Sequence, residues 1–411
     1  MKRFSFFSAF FLLLSIALHA SQDRKVLIIG IDGCRSDALL QANTPNIDTL
    51  LTNSLYSFDS WHVGITWSGP SWSSILTGVH WNKHGVTDNS FNGSNFNQYA
   101  PFPKLAKTLK PNLKRVEVVE WGPLADDFYN DGWDEKIKVA DGSTFPTADS
   151  AVIQLQDPDL DVLFVYFDKV DLTGHVSTFS PANPLYINAI QDVDHAIGTV
   201  LSALYARSTF ASENWLILLV TDHGGRNFSH GGNSYEERRV WWIASGRDVP
   251  HNEVSSLDPG TYNCQLNAVF DPSCVDFALI RESPVHTDIA VTALHHLIYD
   301  TGVHPETKSE WELYGKSWLS PPTAIADVQS QTKFIIAPDP ASGEIVIYSS
   351  DEALQPAELT VFDVMGREIP VSPQLFNNNI RLNLAGAIPG TYILHINLGN
   401  GSAVKKIILT H

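Results

Sequence analysis

Carboxylates and imidazoles recur in this chain just after its apolar runs, and such side chains gathered at one place hold divalent cations. In Asp171-Leu-Thr-Gly-His175 the two candidates stand four residues apart, a spacing at which both can meet one metal ion. Thr221-Asp222-His223-Gly224-Gly225 sets two further ligand types side by side, with glycines that permit a close turn. His230 follows seven residues after His223 and precedes Gly231-Gly232, and Asp32 in Ile31-Asp32-Gly33 adds another carboxylate. Any one of them alone reads as a capping Asp or a solvated His. Their recurrence after successive apolar runs argues for a shared site. Ser68-Gly-Pro70 opens a second cluster that runs to Thr77-Gly78 and on through His84-Gly85 to Asn89-Ser-Phe91. A hydroxyl at a helix N-terminus lies in the positive end of the dipole, where an anion and an ionised oxygen are both stabilised. Pro70 suits the first turn of such a helix, and Ser68 as its plain N-cap is compatible with the same placement.

The elements that must carry these residues are legible as an alternation. Val26-Leu-Ile-Ile29, Val162-Leu-Phe-Val-Tyr166 and Trp215-Leu-Ile-Leu-Leu-Val220 are continuous apolar runs, as strands covered on both faces require. Helix-like stretches separate them, including amphipathic segments over 192–204 and 287–299. This predicts a three-layer α/β/α domain with a mostly parallel central sheet. Polar residues follow each run: Asp32, then Asp168 and Asp171, then Asp222 and His223. Ligands bind beyond the carboxyl ends of strands in open α/β sheets, so these groups are expected on one edge. After Ser320-Pro-Pro-Thr323 the texture changes to short alternating strands over 344–348, 358–364, 380–384, 390–397 and 404–409. They predict a small β-sandwich without clustered ligands. The expected division is a signal peptide over 1–20, a catalytic domain over 21–320, a linker over 321–333 and the sandwich over 334–411.

Composition narrows the chemistry. The 411 residues are 44% apolar and 18% charged, which describes a globular protein and excludes a disordered, collagenous or coiled-coil chain. Lys and Arg total 27 against 45 Asp and Glu, a formal net charge of -18 that repels polyanions, so no nucleic-acid polymer is an expected partner. An anionic substrate is then handled only where bound cations supply local positive charge. Lys2-Arg3, an apolar run from Phe4 to Leu18 and Ala20-Ser21 make up a secretory signal with cleavage near Ala20. No later stretch is long and apolar enough to span a bilayer, so no transmembrane segment is expected after cleavage. Export puts the three cysteines in an oxidising compartment, where Cys264 and Cys274 are candidates to pair and Cys34 is left over.

In combination and chain order, Asp32-Gly33, Ser68-x-Pro70, Thr77-Gly78, His84-Gly85, Asn89, Asp171-x-x-Gly-His175, Asp222-His223-Gly224 and His230 resemble the alkaline phosphatase superfamily. The nearest likeness is to its type I phosphodiesterase and nucleotide pyrophosphatase branch, over nearly all of residues 25–320. The resemblance implies two divalent metal ions, most naturally zinc: Asp32, Asp222, His223 and the Ser68 oxygen at one, Asp171, His175 and His230 at the other. It makes Ser68 the nucleophile, forming a phosphoseryl intermediate, and Asn89 the ligand of a phosphoryl oxygen. The substrate it implies is a small phosphoester or nucleotide-like molecule. The tail, with Leu359-Thr-Val-Phe-Asp-Val-Met-Gly-Arg367 and Gly390-Thr-Tyr-Ile-Leu394, resembles the C-terminal sorting domain of type IX secretion substrates. That implies the type IX machinery as partner and secretion or surface attachment in an outer-membrane bacterium. Departures are informative. The branch usually carries Thr where Ser68 stands, which leaves a phosphomonoesterase as an alternative, beside a non-catalytic surface binding module on the same fold. A formylglycine sulfatase would need Arg where Trp72 stands, and Arg35 and Arg226 match no phosphate clamp. Trp67, Trp72, Phe91 and Tyr166 lie near the motifs, either as an apolar wall for a second ester group or as core.

Overall fold

The computed structural model describes residues 23–254 and 284–319 and, beyond them, 334–337, 343–349, 359–363, 367–376, 379–384, 386–398 and 401–409. The expected signal peptide, the linker and the Cys264–Cys274 pair lie outside the described residues. The chain divides into two units, Met1–Leu319 and Ser320–His411.

The first unit is built on one eight-stranded sheet. Its strands are β1 (Asp23–Ile31), β2 (Ser54–Trp61), β3 (Lys114–Val119), β4 (Glu135–Lys138), β5 (Leu160–Phe167), β6 (Glu213–Thr221), β7 (Arg239–Gly246) and β8 (Asn252–Glu253), in the order β4-β3-β5-β1-β6-β7-β2-β8. Only β7 runs against the rest. Apolar side chains of the central strands alternate between two cores: Val26, Ile28, Phe164 and Leu218 on one face, Leu27, Ile29, Val165 and Leu219 on the other. That double covering explains why the strands read as continuous apolar runs.

Five helices position the site: α1 (Ser68–Thr77), α2 (Thr144–Leu155), α3 (Lys169–Ser177), α4 (Pro184–Tyr205) and α5 (Asp288–Ile298). α1 and α5 pack on the first face, α2 and α4 on the second. α4 buries one stripe and is amphipathic, as its sequence predicts. α5 is not: every one of its 11 residues is buried. The reason is the following segment, which folds back over it, with Lys316 N–H and Trp318 Nε1 donating to the Asp288 carboxylate at 2.8 and 2.7 Å and Tyr314 N–H donating to the Gly78 carbonyl at 2.9 Å.

Strand register aligns the chemistry. Ile31 pairs with both Phe167 and Thr221, so Asp32, Asp168 and Asp222 leave the sheet at one level.

The second unit contains two four-stranded antiparallel sheets. One has the order β13-β14-β10-β9, from β9 (Phe334–Ala337), β10 (Glu344–Ser349), β13 (Gln374–Phe376) and β14 (Asn379–Asn383). The other is β12-β11-β15-β16, from β11 (Leu359–Asp363), β12 (Glu368–Ile369), β15 (Gly390–Leu398) and β16 (Gly401–Leu409). Ile345, Ile347, Val361, Ile380, Leu394 and Ile407 form a separate core.

Candidate metal centre

Two trios of ligand-type side chains stand at the carboxyl edge of the sheet: Asp32, Asp222 and His223, and Asp171, His175 and His230. Within each trio one ligand atom from every residue lies within 4.8 Å of the others. The trios touch, because the His223 and His230 rings stack at a centroid separation of 3.8 Å.

The first trio is sealed, with side chains 0–1% exposed. Its carboxylates are each fixed through one oxygen. Asp32 Oδ2 accepts from Trp72 Nε1 at 2.9 Å and the Tyr166 hydroxyl at 2.5 Å, which turns Oδ1 toward His223 Nε2 at 3.5 Å. Asp222 Oδ1 accepts from the N–H groups of Gly33 and His223, leaving buried Oδ2 without a hydrogen-bond partner 3.3 Å from His223 Nε2. Burial, with the neighbouring carboxylates adding to it, pushes both acids above the usual range. Gly33 makes this crowding possible: its φ is +64°, and a Cβ there would lie 2.6 Å from Asp171 Oδ1.

The second trio opens to solvent at His175, whose side chain is 40% exposed. α3 carries Asp171 and His175 on adjacent turns of one face, and His230 arrives from the loop after β6. Asp171 Oδ2 is 3.4 Å from His175 Nε2, Asp171 Oδ1 is 3.4 Å from His230 Nε2, and the two Nε2 atoms are 3.1 Å apart. The Asp171 carboxylate pushes His175 up to about 9, while burial holds His230 down at about 3.

The donor chemistry fits cations. All three imidazoles face a backbone carbonyl with Nδ1: His223 that of Gly224 at 2.7 Å, His230 that of Thr66 at 2.7 Å, His175 that of Phe228 at 2.9 Å. With the proton on Nδ1, the Nε2 lone pairs of His223 and His230 face carboxylate oxygens, an arrangement that repels itself unless a cation sits between, and His175 must give up its second proton before its Nε2 can join them. The buried, unpartnered Asp171 Oδ1 and Asp222 Oδ2 point to the same need.

Ser68 is the first residue of α1, and the N-cap is Trp67, so the plain N-cap role does not apply. Its hydroxyl instead faces Asp32 Oδ1 at 3.4 Å and His223 Nε2 at 3.3 Å. Asn89 is exposed and accepts from Gly69 N–H through Oδ1 at 2.9 Å, which orients its amide beside Ser68.

Other residues named from sequence go elsewhere. Asp168 leaves the sheet beside Asp32 but turns away: its Oδ1 accepts from Gly142 N–H at 2.7 Å, its N–H donates to Glu120, and burial with Glu120 pushes it to about 9. Arg35 forks onto Asp37 at 2.8 and 2.6 Å and donates to the Phe179 and Gly225 carbonyls, which fastens the loop after Asp222 rather than reaching the site. Arg226 lies exposed on the turn closed by Ser229. His84 is buried against Ser74 at 3.0 Å. Of the four candidate wall aromatics, Trp72, Tyr166 and Phe91 are buried and only Trp67 is exposed.

A family model covers half of the chain, and a second covers its tail. The model for type I phosphodiesterase / nucleotide pyrophosphatase matches residues 26–113 and 118–237, half of the chain. The model for the secretion system C-terminal sorting domain matches residues 335–410. The chain is 29% identical over 227 residues to an uncharacterized pyrophosphatase/phosphodiesterase of Schizosaccharomyces pombe, covering 48% of this chain and 44% of that protein. It is 26% identical over 224 residues to ectonucleotide pyrophosphatase/phosphodiesterase family member 3 of Mus musculus, covering 48% of this chain and 24% of that protein. It therefore spans less than half the length of these curated relatives. A solved 2-O glycosaminoglycan sulfatase shares the fold at a TM-score of 0.54 and 14% identity, over 93% of this chain and 85% of that one.

Proposed function

Because the chain belongs to the type I phosphodiesterase / nucleotide pyrophosphatase family and carries a secretion system C-terminal sorting domain, we propose that it is a secreted, two-metal phosphodiesterase that attacks through Ser68. The observation that carries this reading is the Ser68 hydroxyl at 3.3–3.4 Å from the sealed trio, with the open trio stacked directly against it. In this reading residues 1–20 are a signal peptide, 21–320 the hydrolase, and 334–411 the sorting domain, with the type IX machinery as partner and the cell surface or medium of an outer-membrane bacterium as destination.

Asp32, Asp222, His223 and Ser68 would hold one divalent cation and Asp171, His175 and His230 the other, and three neutral imidazoles with three carboxylates suit zinc. Cations so placed would neutralise phosphoryl oxygens and favour both the ionised hydroxyl and the departing alkoxide. The chain's own groups do the rest. The Ser68 hydroxyl, 3.4 Å from Asp32 Oδ1, would ionise with its proton passing to water, and its oxygen attacks phosphorus in line. The ester oxygen leaves with its bonding pair, and water then cleaves the phosphoserine. Asn89, anchored through Oδ1, presents its amide N–H to a non-bridging oxygen where charge builds.

A diester fits these residues better than a monoester. The third charged oxygen of a monoester dianion asks for a bidentate Arg or another cation. Arg35 is committed to Asp37 and two carbonyls, and Arg226 lies on an exposed turn. Ser68 in place of the branch's usual Thr is the single feature that favours a monoesterase. The test is kcat/KM for an aryl phosphodiester, aryl phosphate and aryl sulfate with one leaving group at one pH, expected to fall in that order. A clear preference for the monoester would overturn the reading.

A further inference from the structure

Trp67 differs from the two aromatic residues that clamp Asp32. It immediately precedes Ser68 and is 40% exposed, whereas Trp72 and Tyr166 are buried and committed to Asp32. Its indole is seated on Gly231: a Cβ there would lie 1.8 Å from Trp67 Nε1 and 2.3 Å from its Cδ1. Gly231 N–H donates to Thr66 Oγ1 at 3.0 Å, and the Thr66 carbonyl faces His230 Nδ1 at 2.7 Å, so the segment bearing Trp67 is bound to the segment bearing His230. Phe228, two residues before His230, is 57% exposed, and its carbonyl faces His175 Nδ1. Two large aromatic side chains thus remain in water on the segments that hold the histidines of the open trio, where their burial would otherwise stabilise the fold.

The chemistry says which part of a substrate meets them. Ser68 lies against the sealed trio, so in-line displacement forms the Ser68 Oγ–P bond and breaks the P–O bond on the side of the open trio, where the leaving oxygen takes the electron pair. On the other side of Ser68 in the chain is Gly69, where a Cβ would meet the Asp88 carbonyl oxygen at 2.6 Å, followed in space by the polar Asn89. The surroundings of Ser68 are therefore aromatic toward His230 and polar toward Asn89.

We propose that Trp67, with Phe228 on the segment that bears His230 and Gly231, forms a leaving-group subsite that selects phosphodiesters whose departing alcohol is a flat aromatic. This rests on the phosphodiesterase reading and adds to it the identity of the departing group. Stacking on the indole face supplies the discrimination.

The test uses the zinc-loaded full chain and methyl 2-naphthyl phosphate against methyl phenyl phosphate, whose alcohols have similar acidity. The wild type is expected to prefer the naphthyl ester in kcat/KM by on the order of tenfold. Trp67→Ala should erase that preference, Trp67→Phe should retain part of it, and Phe228→Ala should reduce it. None of the three should alter relative rates when the naphthyl group is on the retained side, as in 2-naphthyl 4-nitrophenyl phosphate against methyl 4-nitrophenyl phosphate. Titration calorimetry on Ser68→Ala, with the two methyl diesters as uncleaved ligands, should give the same order and lose it when Trp67→Ala is added. Hydrolysis of both diesters without preference, or a preference that survives Trp67→Ala, would overturn the subsite and leave the phosphodiesterase reading standing. Hydrolysis of neither diester by the wild type would overturn both.

Discussion

The sealed and open trios use the same ligand types to opposite ends. Asp32 and Asp222 are each clamped through one oxygen by N–H or O–H donors, so that half of the centre is shaped before any cation arrives. Among the described residues the open trio shows no comparable clamp on its carboxylate: Asp171 pairs with His175 and His230, and orientation comes from the histidines' own contacts with the main chain. Rigidity is therefore concentrated beside Ser68, and access at His175.

The largest expected effect concerns Ser68, the proposed nucleophile. Ser68→Ala should lower kcat/KM by about a thousandfold or more while metal analysis still finds close to two ions per chain, because in the proposed site the hydroxyl would be one ligand among four at the sealed trio. A fully active variant would detach the chemistry from that trio. Next come the clamps. Trp72→Phe and Tyr166→Phe should each weaken the ion at the sealed trio by about 10- to 100-fold in chelator competition and leave the other ion unchanged. His175→Ala should do the reverse, reducing stoichiometry at the open trio alone. Equal loss of both ions in either set would erase the distinction.

Acid should act more gently and away from both trios. Burial holds His84 near about 3 and His286 and His296 near about 4, below the ordinary 6.5. Unfolded, these residues take up protons that the folded chain refuses, so their contribution to stability is full above about pH 6.5 and is lost as pH falls toward about 4. The Tm of the first unit should fall by several degrees between pH 7.5 and 5, by a similar amount with and without chelator. A fall seen only in metal-loaded protein would assign it to the trios instead. The smallest effect is none: a chain ending at residue 330 should keep its kcat/KM and lose export, as the described part of the second unit contributes no candidate ligand. Loss of hydrolysis by the folded truncation would contradict the division of labour.

Much of the first unit was legible because its strands are covered on both faces. Val26 to Ile29, Val162 to Tyr166 and Trp215 to Val220 announce themselves as uninterrupted apolar runs, and register then brings the residues after them to one level. What sequence spacing leaves open is where a side chain turns once it arrives. Asp168 has the same type and level as Asp32, yet Gly142 N–H draws it aside. Tyr166 and Trp72 read equally well as wall or core, and their role as clamps appears only when β5 and α1 are packed together. Nor does periodicity within α5 reveal that residues after 299 cover its outer face, because that covering comes from a later stretch of irregular chain.

The imidazole anchors have an evolutionary consequence. Gly224, Thr66 and Phe228 orient His223, His230 and His175 through main-chain oxygens, which every amino acid possesses. The coordinating geometry is thus inherited from the path of the backbone, and Phe228 can drift to another residue without disturbing the histidine it holds. A lineage could explore new substrates at that position while the reacting centre stays intact.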